Sequence, residues 1–315
     1  MRRVALIYNP ASGQASGRRA AVMARVVSVL AKAGIEADAL ETDAPGSARG
    51  LALAAIRNRY DTILACGGDG TVHEVLQCVV GTDVALGVIP LGTANALANN
   101  LGLAGSPVKA VRKLMDAVPT EVPVGRIFFR ETNGAESSRY FTVAAGIGAD
   151  ALLMASMDAG LKRKLGYVLY LVEAFRVWAT HPFPMFRATY TLLDGSTRTA
   201  ELSQLLAVRV HSFGGALGRL APGASVRRDA LSLISFGTRS RFRYLTFLLA
   251  VIAGRQTFGD AVELVEASAV TCEIANGWKE PIFVEGDGEL LGRLPARMEM
   301  ATQRLTLLVP RDAEP

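Results

Sequence analysis

The sequence predicts an α/β protein whose first part is a parallel sheet with helices and whose second part is rich in β-strands. Apolar runs of strand length alternate with amphipathic helical stretches up to residue 95, over short connections. Loops of glycine and small residues follow three of those strands, and after about residue 122 short strands predominate. We therefore expect two domains, residues 1–122 and 123–303, with a last strand at about 304–310 that returns to the first.

The first domain opens with a short buried strand that Asn9 and Pro10 end. The following helix carries valines and a leucine on one face and is ended by a glycine. The predicted strands are residues 3–8, 35–40, 62–65 and 85–89, and the predicted helices are residues 18–33, 48–59 and 71–80. Because ligands bind at the carboxyl ends of strands in such a sheet, we expect the binding edge at loops 9–13, 67–71 and 90–95.

The second domain is predicted to consist of two packed β-sheets. Asp194 and Gly195 form a good turn between two short strands. Two apolar helical stretches, residues 164–180 and 242–253, interrupt the pattern. The predicted strands are residues 126–130, 138–143, 186–193, 202–210 and 231–236.

Composition and charge argue against several classes of protein. Half of the 315 residues are apolar and a fifth are charged, which is typical of a folded globular chain. The net charge of +5 is spread along the sequence, and without zinc-finger spacing or a basic–aromatic pattern we expect no nucleic-acid partner. The three cysteines stand apart in apolar stretches, so we expect buried thiols in a reducing compartment.

We do not expect the chain to span a membrane. The apolar run near Met1 is too short for a signal peptide. The longest apolar run, residues 244–253, is about half of the roughly 20 residues that cross a bilayer. The sequence therefore predicts a cytoplasmic protein whose membrane contact is peripheral, at the inner face.

The sharpest functional signal is the loop Gly67-Gly68-Asp69-Gly70-Thr71. A strand ends here and a helix is predicted to begin at Thr71, so free N–H groups and the helix dipole favour a phosphate. A carboxylate at Asp69 beside polyphosphate needs a cation or a hydroxyl proton to offset its charge, which indicates metal–nucleotide chemistry or proton acceptance. The alternative is a tight turn before a capped helix. The P-loop and the Rossmann dinucleotide fingerprint are both absent from the sequence.

The segment from Gly67 to Val75 resembles the nucleotide loop of the diacylglycerol kinase catalytic family, which includes sphingosine and ceramide kinases and bacterial lipid kinases. NAD kinases share the five-residue core of that loop. Three further segments resemble the same family in order and spacing: Asn9-Pro10-Ala11-Ser12-Gly13, Pro90-Leu91-Gly92-Thr93-Ala94-Asn95 and Glu285-Gly286-Asp287-Gly288-Glu289. The resemblance covers nearly the whole chain and implies an NAD-kinase-like parallel-sheet nucleotide domain followed by a β-sandwich.

This resemblance implies an ATP-dependent lipid kinase that uses Mg²⁺ and phosphorylates the hydroxyl of a membrane lipid such as diacylglycerol, ceramide or a sphingoid base. It places Asp69 at the phosphates as an essential residue. It places Asp287 and Glu289 across the interdomain cleft, where one of them takes the proton from the lipid hydroxyl; a hairpin turn is the alternative role of that segment. The implied ATP-binding residues are Asn9, Pro10, Ala11, Ser12, Gly13, Thr42, Gly67, Gly68, Asp69, Gly70, Thr71, Val72, His73, Gly92, Thr93 and Asn95.

The resemblance is incomplete at a structural divalent metal site that some bacterial members carry. Those members have an acid where this chain has Ala96, and a lysine where it has Gln14. The remaining ligand position is Asp229, which Ala230 follows in place of glycine. We therefore expect a metal site at Asp229 to be shifted or absent.

Three segments are candidates for contact with the lipid or the membrane. Residues 161–167 lead into one helix and residues 241–250 form another, and both combine basic residues with an apolar face, as suits an anionic interface. The alternative is that both helices cover the β-domain. The glycine-rich segment 214–222 resembles a strand and turn that line the lipid cleft, or is a bulged strand alone.

Two other functions stay open at the level of sequence. One is a soluble-substrate kinase of the NAD kinase type, which the Gly-Thr-x-Asn loop and the apolar basic helices disfavour. The other is a nucleotide- or lipid-binding module without turnover, which only Ala96 supports and which the three acidic site residues disfavour. The sequence does not distinguish a monomer from a homodimer.

Overall fold

The structure is a computed structural model that describes residues 1–10, 18–156, 176–213, 220–255, 259, 261–275 and 278–313. The chain forms two compact units. Unit 1 contains Met1–Pro123 and Thr302–Pro315, and unit 2 contains Val124–Ala301. The chain therefore leaves unit 1 once and returns to it near its end.

Unit 1 is built on a parallel sheet with the order β2-β1-β3-β4. Its strands are β1 (Arg3–Tyr8), β2 (Glu36–Glu41), β3 (Thr62–Gly67) and β4 (Ala85–Pro90). Its helices are α1 (Arg19–Lys32), α2 (Ser47–Arg57), α3 (Asp69–Val79), α4 (Ala96–Asn100) and α5 (Pro107–Met115). The end of β14 (Glu289–Val309) joins this sheet parallel to β4, where Leu307 pairs with Leu86.

The central strands of unit 1 are buried throughout. Every residue of β3 and β4 is buried, and so is every residue of β1 after Arg3. Strands covered on both faces read as continuous apolar runs rather than alternating ones, which is why the sequence pattern located them well.

The predicted start of the third helix is wrong by two residues. Helix α3 begins at Asp69 rather than at Thr71, because Gly68 in an extended conformation is its N-cap. The sequence analysis also missed α4 and α5. For α5 a signal was present, since the Ser106 hydroxyl accepts a hydrogen bond from the N–H of Lys109 at 3.3 Å and Pro107 occupies the first helical position.

Unit 2 consists mainly of antiparallel strands, with β13-β7-β10-β11-β12-β8-β9 as the continuous path. β14 also pairs with β13 and β12, and β5 pairs with β6. The strands are β5 (Val118–Arg130), which begins in unit 1, β6 (Glu136–Phe141), β7 (Ala144–Ile147), β8 (Phe186–Leu192), β9 (Thr197–Leu202), β10 (Gln204–Val208), β11 (Leu231–Phe236), β12 (Val262–Ile274) and β13 (Phe283–Gly286). The helices are α6 (Ala149–Ser156) and α7 (Arg241–Ile252).

The core of unit 2 is formed by the inward residues of these strands, including Phe141, Phe186, Tyr190, Leu233, Val270 and Met298. The predicted turn at Asp194 and Gly195 is confirmed, since the N–H of Leu192 donates to the Ser196 carbonyl at 2.8 Å across it. All three cysteines are buried thiols, as predicted.

Several strand predictions in unit 2 are wrong in extent. The single strand predicted over 202–210 is divided at Ser203, whose N–H donates to the Phe236 carbonyl at 2.9 Å, so β10 covers only Gln204–Val208. The long strands β12 and β14 were not recognised, apart from the last residues of β14. The predicted helix 164–180 lies mostly outside the described residues, of which 176–180 are helical.

Candidate active site

Loops of unit 1 meet at the carboxyl edge of its parallel sheet. Asn9 follows β1, and its N–H donates to the Cys66 carbonyl at the end of β3 at 3.2 Å. Leu91 follows β4, and its N–H donates to the Gly67 carbonyl at 2.9 Å. The start of the opening loop and the two glycine loops therefore lie together, as strand order requires. The remaining candidates in the opening loop lie outside the described residues: Ala11, Ser12, Gly13 and Gln14.

The two glycine loops pack directly against each other. A Cβ added to Gly92 would lie 2.5 Å from the Cα of Gly68, a distance that real Cβ atoms do not adopt. A Cβ on Gly67 would lie 2.5 Å from the Cβ of Thr71. Glycine at position 92 therefore allows the backbones of the two loops to come into contact, and glycine at position 67 leaves room for the side chain of Thr71.

Asn95 fixes the second glycine loop in place. Its Oδ1 accepts a hydrogen bond from the N–H of Gly92 at 2.9 Å, and its Nδ2 donates to the Gly92 carbonyl at 2.8 Å. Asn95 itself adopts a left-handed conformation with φ 50°, which asparagine tolerates better than most residues. The Gly-Thr-x-Asn motif is thus a closed loop held by its own asparagine.

Asp69 joins the two loops through its carboxylate. Oδ2 accepts from the N–H of Asn95 at 3.0 Å, and Oδ1 accepts from the N–H of Ala96 at 2.8 Å. These are N–H groups at the start of α4, which has no cap from its own side chains. Asp69 therefore caps α4 from outside and is held rigidly at the carboxyl edge of the sheet.

The start of α3 is suited to bind an anion such as a phosphate. Its N-cap is Gly68, which has no side chain to cap the first turn. The N–H groups of a first turn have no partner inside the helix, and together with the helix dipole they favour an anion. Asp69 lies in that turn, so bound phosphates there call for a cation such as Mg²⁺.

Other predicted ATP-binding residues differ in their surroundings. Thr93 is exposed at the tip of its loop, whereas Thr71, Val72 and His73 are buried in α3. Thr42 is buried at the end of β2, where its N–H donates to the Tyr8 carbonyl at 2.9 Å. Thr42 thus lies at the same edge of the sheet as the loops, and the three residues of α3 follow the glycine loop with their side chains buried.

The sequence analysis gave no role to Glu74, which is part of the same glycine motif. Its Oε1 accepts from the N–H of Gly46 at 2.9 Å, and its Oε2 accepts from the N–H of Ala48 at 3.0 Å. These N–H groups belong to the start of α2. Glu74 therefore caps a neighbouring helix, and the motif contains two carboxylates that hold helix starts, Glu74 and Asp69.

In unit 2, Asp287 is held by three consecutive backbone N–H groups. Its Oδ1 accepts from the N–H groups of Thr142, Val143 and Ala144 at 3.2, 2.8 and 3.1 Å. Its Oδ2 accepts a second contact from the N–H of Thr142 at 3.1 Å, and Asp287 is only 7% exposed. The carboxylate therefore fixes the backbone of residues 142–144, which lead into β7.

Glu289 has a different environment at the same turn. Asp287 and Gly288 both have positive φ, 49° and 83°, and Gly286 pairs with Glu289 across them. This is the geometry of a two-residue type I′ hairpin, so the turn predicted as an alternative role is present. Glu289 follows it with an exposed side chain.

Two further acidic residues in unit 2 are buried, and the sequence analysis gave them no role. Asp150 lies in the first turn of α6, and burial raises its pKa to about 7. Burial, and next the charge of Asp150, raise the pKa of Glu285 in β13 well above its usual range. The available signal was an isolated acid in the otherwise apolar segment 143–154.

The other predicted contacts are only partly described. Asp229 is exposed, and the described residues contain no group of three or more His, Cys, Asp or Glu side chains that could hold a metal ion. The glycine-rich residues 214–219 and the basic residues 161–167 lie outside the described part of the chain. Among the residues that are described, no helix has the length and apolar character needed to cross a membrane.

Two family models match the chain. The model of the diacylglycerol kinase catalytic domain matches residues 3–127. The model of the YegS C-terminal NAD kinase beta sandwich-like domain matches residues 141–309, which is more than half of the chain.

Similar proteins extend over almost the full length of the chain. A diacylglycerol kinase of Bacillus subtilis is 26% identical over 99% of this chain and 98% of its own. A diacylglycerol kinase of Mycobacterium tuberculosis is 29% identical over 98% of this chain and 96% of its own.

Solved structures show the same fold. The crystal structure of a diacylglycerol kinase from Bacillus anthracis has a TM-score of 0.69 at 19% identity and covers 99% of this chain and 98% of its own. A yeast NADH kinase complexed with NADH has a TM-score of 0.53 at 10% identity and covers 98% of this chain and 83% of its own. The predicted fold class, an NAD-kinase-like parallel-sheet domain followed by a β-sandwich, is confirmed.

Proposed function

Because the chain belongs to the diacylglycerol kinase catalytic family and is thus a lipid kinase, we propose that it transfers the γ-phosphate of ATP to the hydroxyl of a diacylglycerol-like membrane lipid. The observation that carries the proposal is the arrangement around Asp69. This carboxylate is fixed by two N–H groups and lies in the first turn of α3, whose N-cap is a glycine and whose N–H groups suit phosphates.

In unit 1 we assign ATP binding to the loops at the carboxyl edge of the sheet. The N–H groups at the start of α3 bind phosphate oxygens, and the contact between Gly68 and Gly92 keeps the edge free of side chains. Asp69 would supply negative charge to a Mg²⁺ ion that accompanies the phosphates. ATP with Mg²⁺ supplies the phosphoryl group and neutralises the charge that develops during transfer.

In unit 2 we assign proton acceptance to Glu289 rather than to Asp287. An alcohol is a poor nucleophile at neutral pH, so a carboxylate within hydrogen-bond reach has to take its proton. The side chain of Asp287 is buried and accepts from three N–H groups, whereas that of Glu289 is exposed next to it. Asp287 thus holds the hairpin, and Glu289 is available to the acceptor hydroxyl.

Glycerolipids are favoured over the other acceptors. The curated relatives that cover the whole chain are named diacylglycerol kinases. The likeness to the yeast NADH kinase, at 10% identity, concerns the fold alone and does not favour a dinucleotide acceptor. Ceramide and sphingoid bases present a similar primary hydroxyl beside apolar chains and are the second candidates.

The acceptor is tested by phosphate transfer from labelled ATP with Mg²⁺ to diacylglycerol, ceramide, sphingosine, phosphatidylglycerol and NAD, the lipids in mixed micelles. We expect diacylglycerol to be labelled well above the other acceptors. Labelling of ceramide or sphingosine alone would contradict diacylglycerol as the acceptor and would instead indicate a sphingolipid kinase. Labelling of NAD alone, or of no acceptor while ATP still binds, would contradict it.

We also propose that α7 brings the enzyme to anionic membranes. The inner face of this helix is anchored, because Tyr244 stacks on Phe236 with ring centroids 4.6 Å apart and Phe247 is buried. The outer face is apolar and exposed, with Phe242 at 71% and Leu249 at 54%. Four arginines and no acidic residue occur in the segment 237–255, so its charge suits anionic lipid.

Replacing Phe242 and Leu249 by serine is expected to weaken binding to phosphatidylglycerol-containing vesicles about tenfold or more, since each side chain gains about 1.5–3 kcal/mol on burial. The measurement is vesicle co-sedimentation, with thermal unfolding as a check of the fold. The matched control is Leu193→Ser, because Leu193 is also 54% exposed but lies at the β8–β9 turn. Equal binding by the double variant and the control would contradict a role of α7.

A further inference from the structure

Two buried carboxyl groups of unit 2 lie against the same backbone position. Glu285 of β13 is directly opposite Gly146 of β7 in the strand register, and Asp150 follows β7 in the first turn of α6. A Cβ added to Gly146 would overlap Oδ2 of Asp150 and lie 2.9 Å from Oε1 of Glu285. One oxygen of each carboxyl group therefore lies beside the same point, in space that the missing side chain of Gly146 leaves open.

The hydrogen bonds of the two groups are incomplete. Both carboxylate oxygens of Asp150 are buried. Among the described residues the backbone N–H groups of Asp150 itself and of Ala151 favour its charged form, but neither makes a well-aligned hydrogen bond to these oxygens. Glu285 uses Oε2 to accept the N–H of Gly288 at 2.9 Å, which closes the hairpin before Glu289. Two buried carboxylates side by side cannot both be ionised without a large cost, whereas one proton between them removes the repulsion and supplies a hydrogen bond.

Among the described residues, no cationic side chain acts on this pair to relieve the repulsion. In the part of the chain that the structure describes, the titratable groups that act on the pair are Asp287 and Glu289 on the hairpin and Tyr244 on α7. None of these groups is a cation. Strand β7, which packs against both α6 and β13, has no titratable side chain. Burial raises the pKa of both acids in this setting.

We propose that Asp150 and Glu285 share a proton at neutral pH, and that the pair acts as a positioning element for the hairpin that carries Glu289. The link to the hairpin is the hydrogen bond from the N–H of Gly288 to Glu285. Gly288 lies in the turn and directly precedes Glu289, the proposed base. While the proton is shared, Glu285 stays against Asp150 and the hairpin keeps its place. The part about Glu289 rests on the lipid kinase function proposed above, whereas the shared proton does not.

The direction of the pH effect follows from the raised pKa values. A buried acid whose pKa is raised in the folded state contributes stability at low pH that is lost as the pH rises through the folded pKa. For Asp150 that pKa is about 7. An aspartate of the unfolded chain has a pKa of about 4, so the protein is expected to lose stability between about pH 4 and pH 7 and to level off above that range. The hairpin loses its support as the pH rises through about 7, where the shared proton leaves.

Thermal unfolding without substrate tests the shared proton by itself. Relative to Asp150→Asn, we expect the Tm of the wild type to fall by about 2–4 °C per pH unit between about pH 5 and pH 7 and to level off at higher pH. Asp194→Asn, in the exposed turn between β8 and β9, is the control and should follow the wild type. The infrared C=O band of a protonated carboxyl group should be present at pH 7 in the wild type and reduced in Asp150→Asn. The same pH dependence in all three proteins, or no such band, would overturn the proposal.

Kinetics test the positioning role. Glu285→Gln keeps an acceptor for Gly288 and adds a donor toward Asp150, so kcat should stay within a few-fold of wild type while its decline at alkaline pH disappears. Glu285→Ala removes both bonds and should lower kcat about tenfold to a hundredfold with the lipid KM little changed, as expected for a misplaced catalytic group. If both variants keep the wild-type kcat and pH profile, the positioning role is wrong even where the unfolding data support the shared proton. If wild-type protein phosphorylates no lipid, the kinase proposal fails, and the unfolding experiment still decides on the proton.

Discussion

Replacing Asp69 by asparagine is expected to lower phosphate transfer about a thousandfold, because the variant loses the charge that holds the metal–phosphate group in place. ATP binding through the N–H groups at the start of α3 should be affected less than turnover. Steady-state kinetics with diacylglycerol micelles, together with the Kd for ATP, separate the two effects.

The same change is also expected to cost stability. Each oxygen of Asp69 accepts one N–H at the start of α4, from Asn95 and from Ala96. An asparagine side chain keeps one of these bonds and turns its NH₂ group toward the other N–H, at a cost of about 1–3 kcal/mol. The two hydrogen bonds therefore predict a measurable decrease in the Tm of this variant.

A second carboxylate of unit 1 provides the control for this experiment. Asp61 accepts the N–H groups of Arg2 and Arg3 at 2.8 and 3.0 Å, just before β3 and thus at the amino end of that strand. Asp61→Ala removes the acceptor of two N–H groups, so it should lose comparable stability and keep its kcat. If Asp61→Ala loses as much turnover as Asp69→Asn, the defect is one of folding, and Asp69 has no special role in transfer.

The second large effect is expected at the hairpin of unit 2, where substitution of Asp287 should mainly lower stability and substitution of Glu289 should mainly lower turnover. Asp287→Asn weakens charge-assisted bonds from three buried N–H groups, and we expect it to lower the free energy of unfolding by about 2–3 kcal/mol. Asparagine tolerates the positive φ of this position, so the change isolates the charge. Glu289→Gln should leave the Tm unchanged, because its side chain is exposed, and lower kcat by about a hundredfold to ten-thousandfold.

The two variants act as controls for each other, since each exchanges one carboxylate for an amide of the same shape within one turn. Thermal unfolding and kcat per folded molecule are the measurements. Our assignment predicts that stability is lost mainly in Asp287→Asn and turnover mainly in Glu289→Gln. The reverse outcome, full stability with no turnover in Asp287→Asn and an active Glu289→Gln, would make Asp287 the base.

Sequence pattern predicted unit 1 much better than unit 2. The strands of unit 1 are covered on both faces and are therefore continuous apolar runs, and glycine loops mark their ends. In β14 the buried residues Leu294, Ala296 and Met298 alternate with the exposed Pro295 and Arg297, and Gly292 precedes them. Proline and glycine disfavour a strand interior, so the strand did not stand out. Its pairing with β13 and β12 stabilises it through long-range contacts that no local pattern contains.

The sequence by itself determined the family resemblance, the order of the nucleotide loops and the identity of the acids that could act in the reaction. It could do so because backbone approach to phosphate demands glycine, and acid–base chemistry demands a carboxylate, at fixed places along the chain. Only the tertiary structure separated the roles of these acids. Asp69, Glu74 and Asp287 have their oxygens bound to N–H groups, while the oxygens of Asp150 are buried next to a second carboxyl group, that of Glu285. The reason is physical, since the chemistry of a carboxylate depends on burial and on the donors around it, and both come from residues distant in sequence.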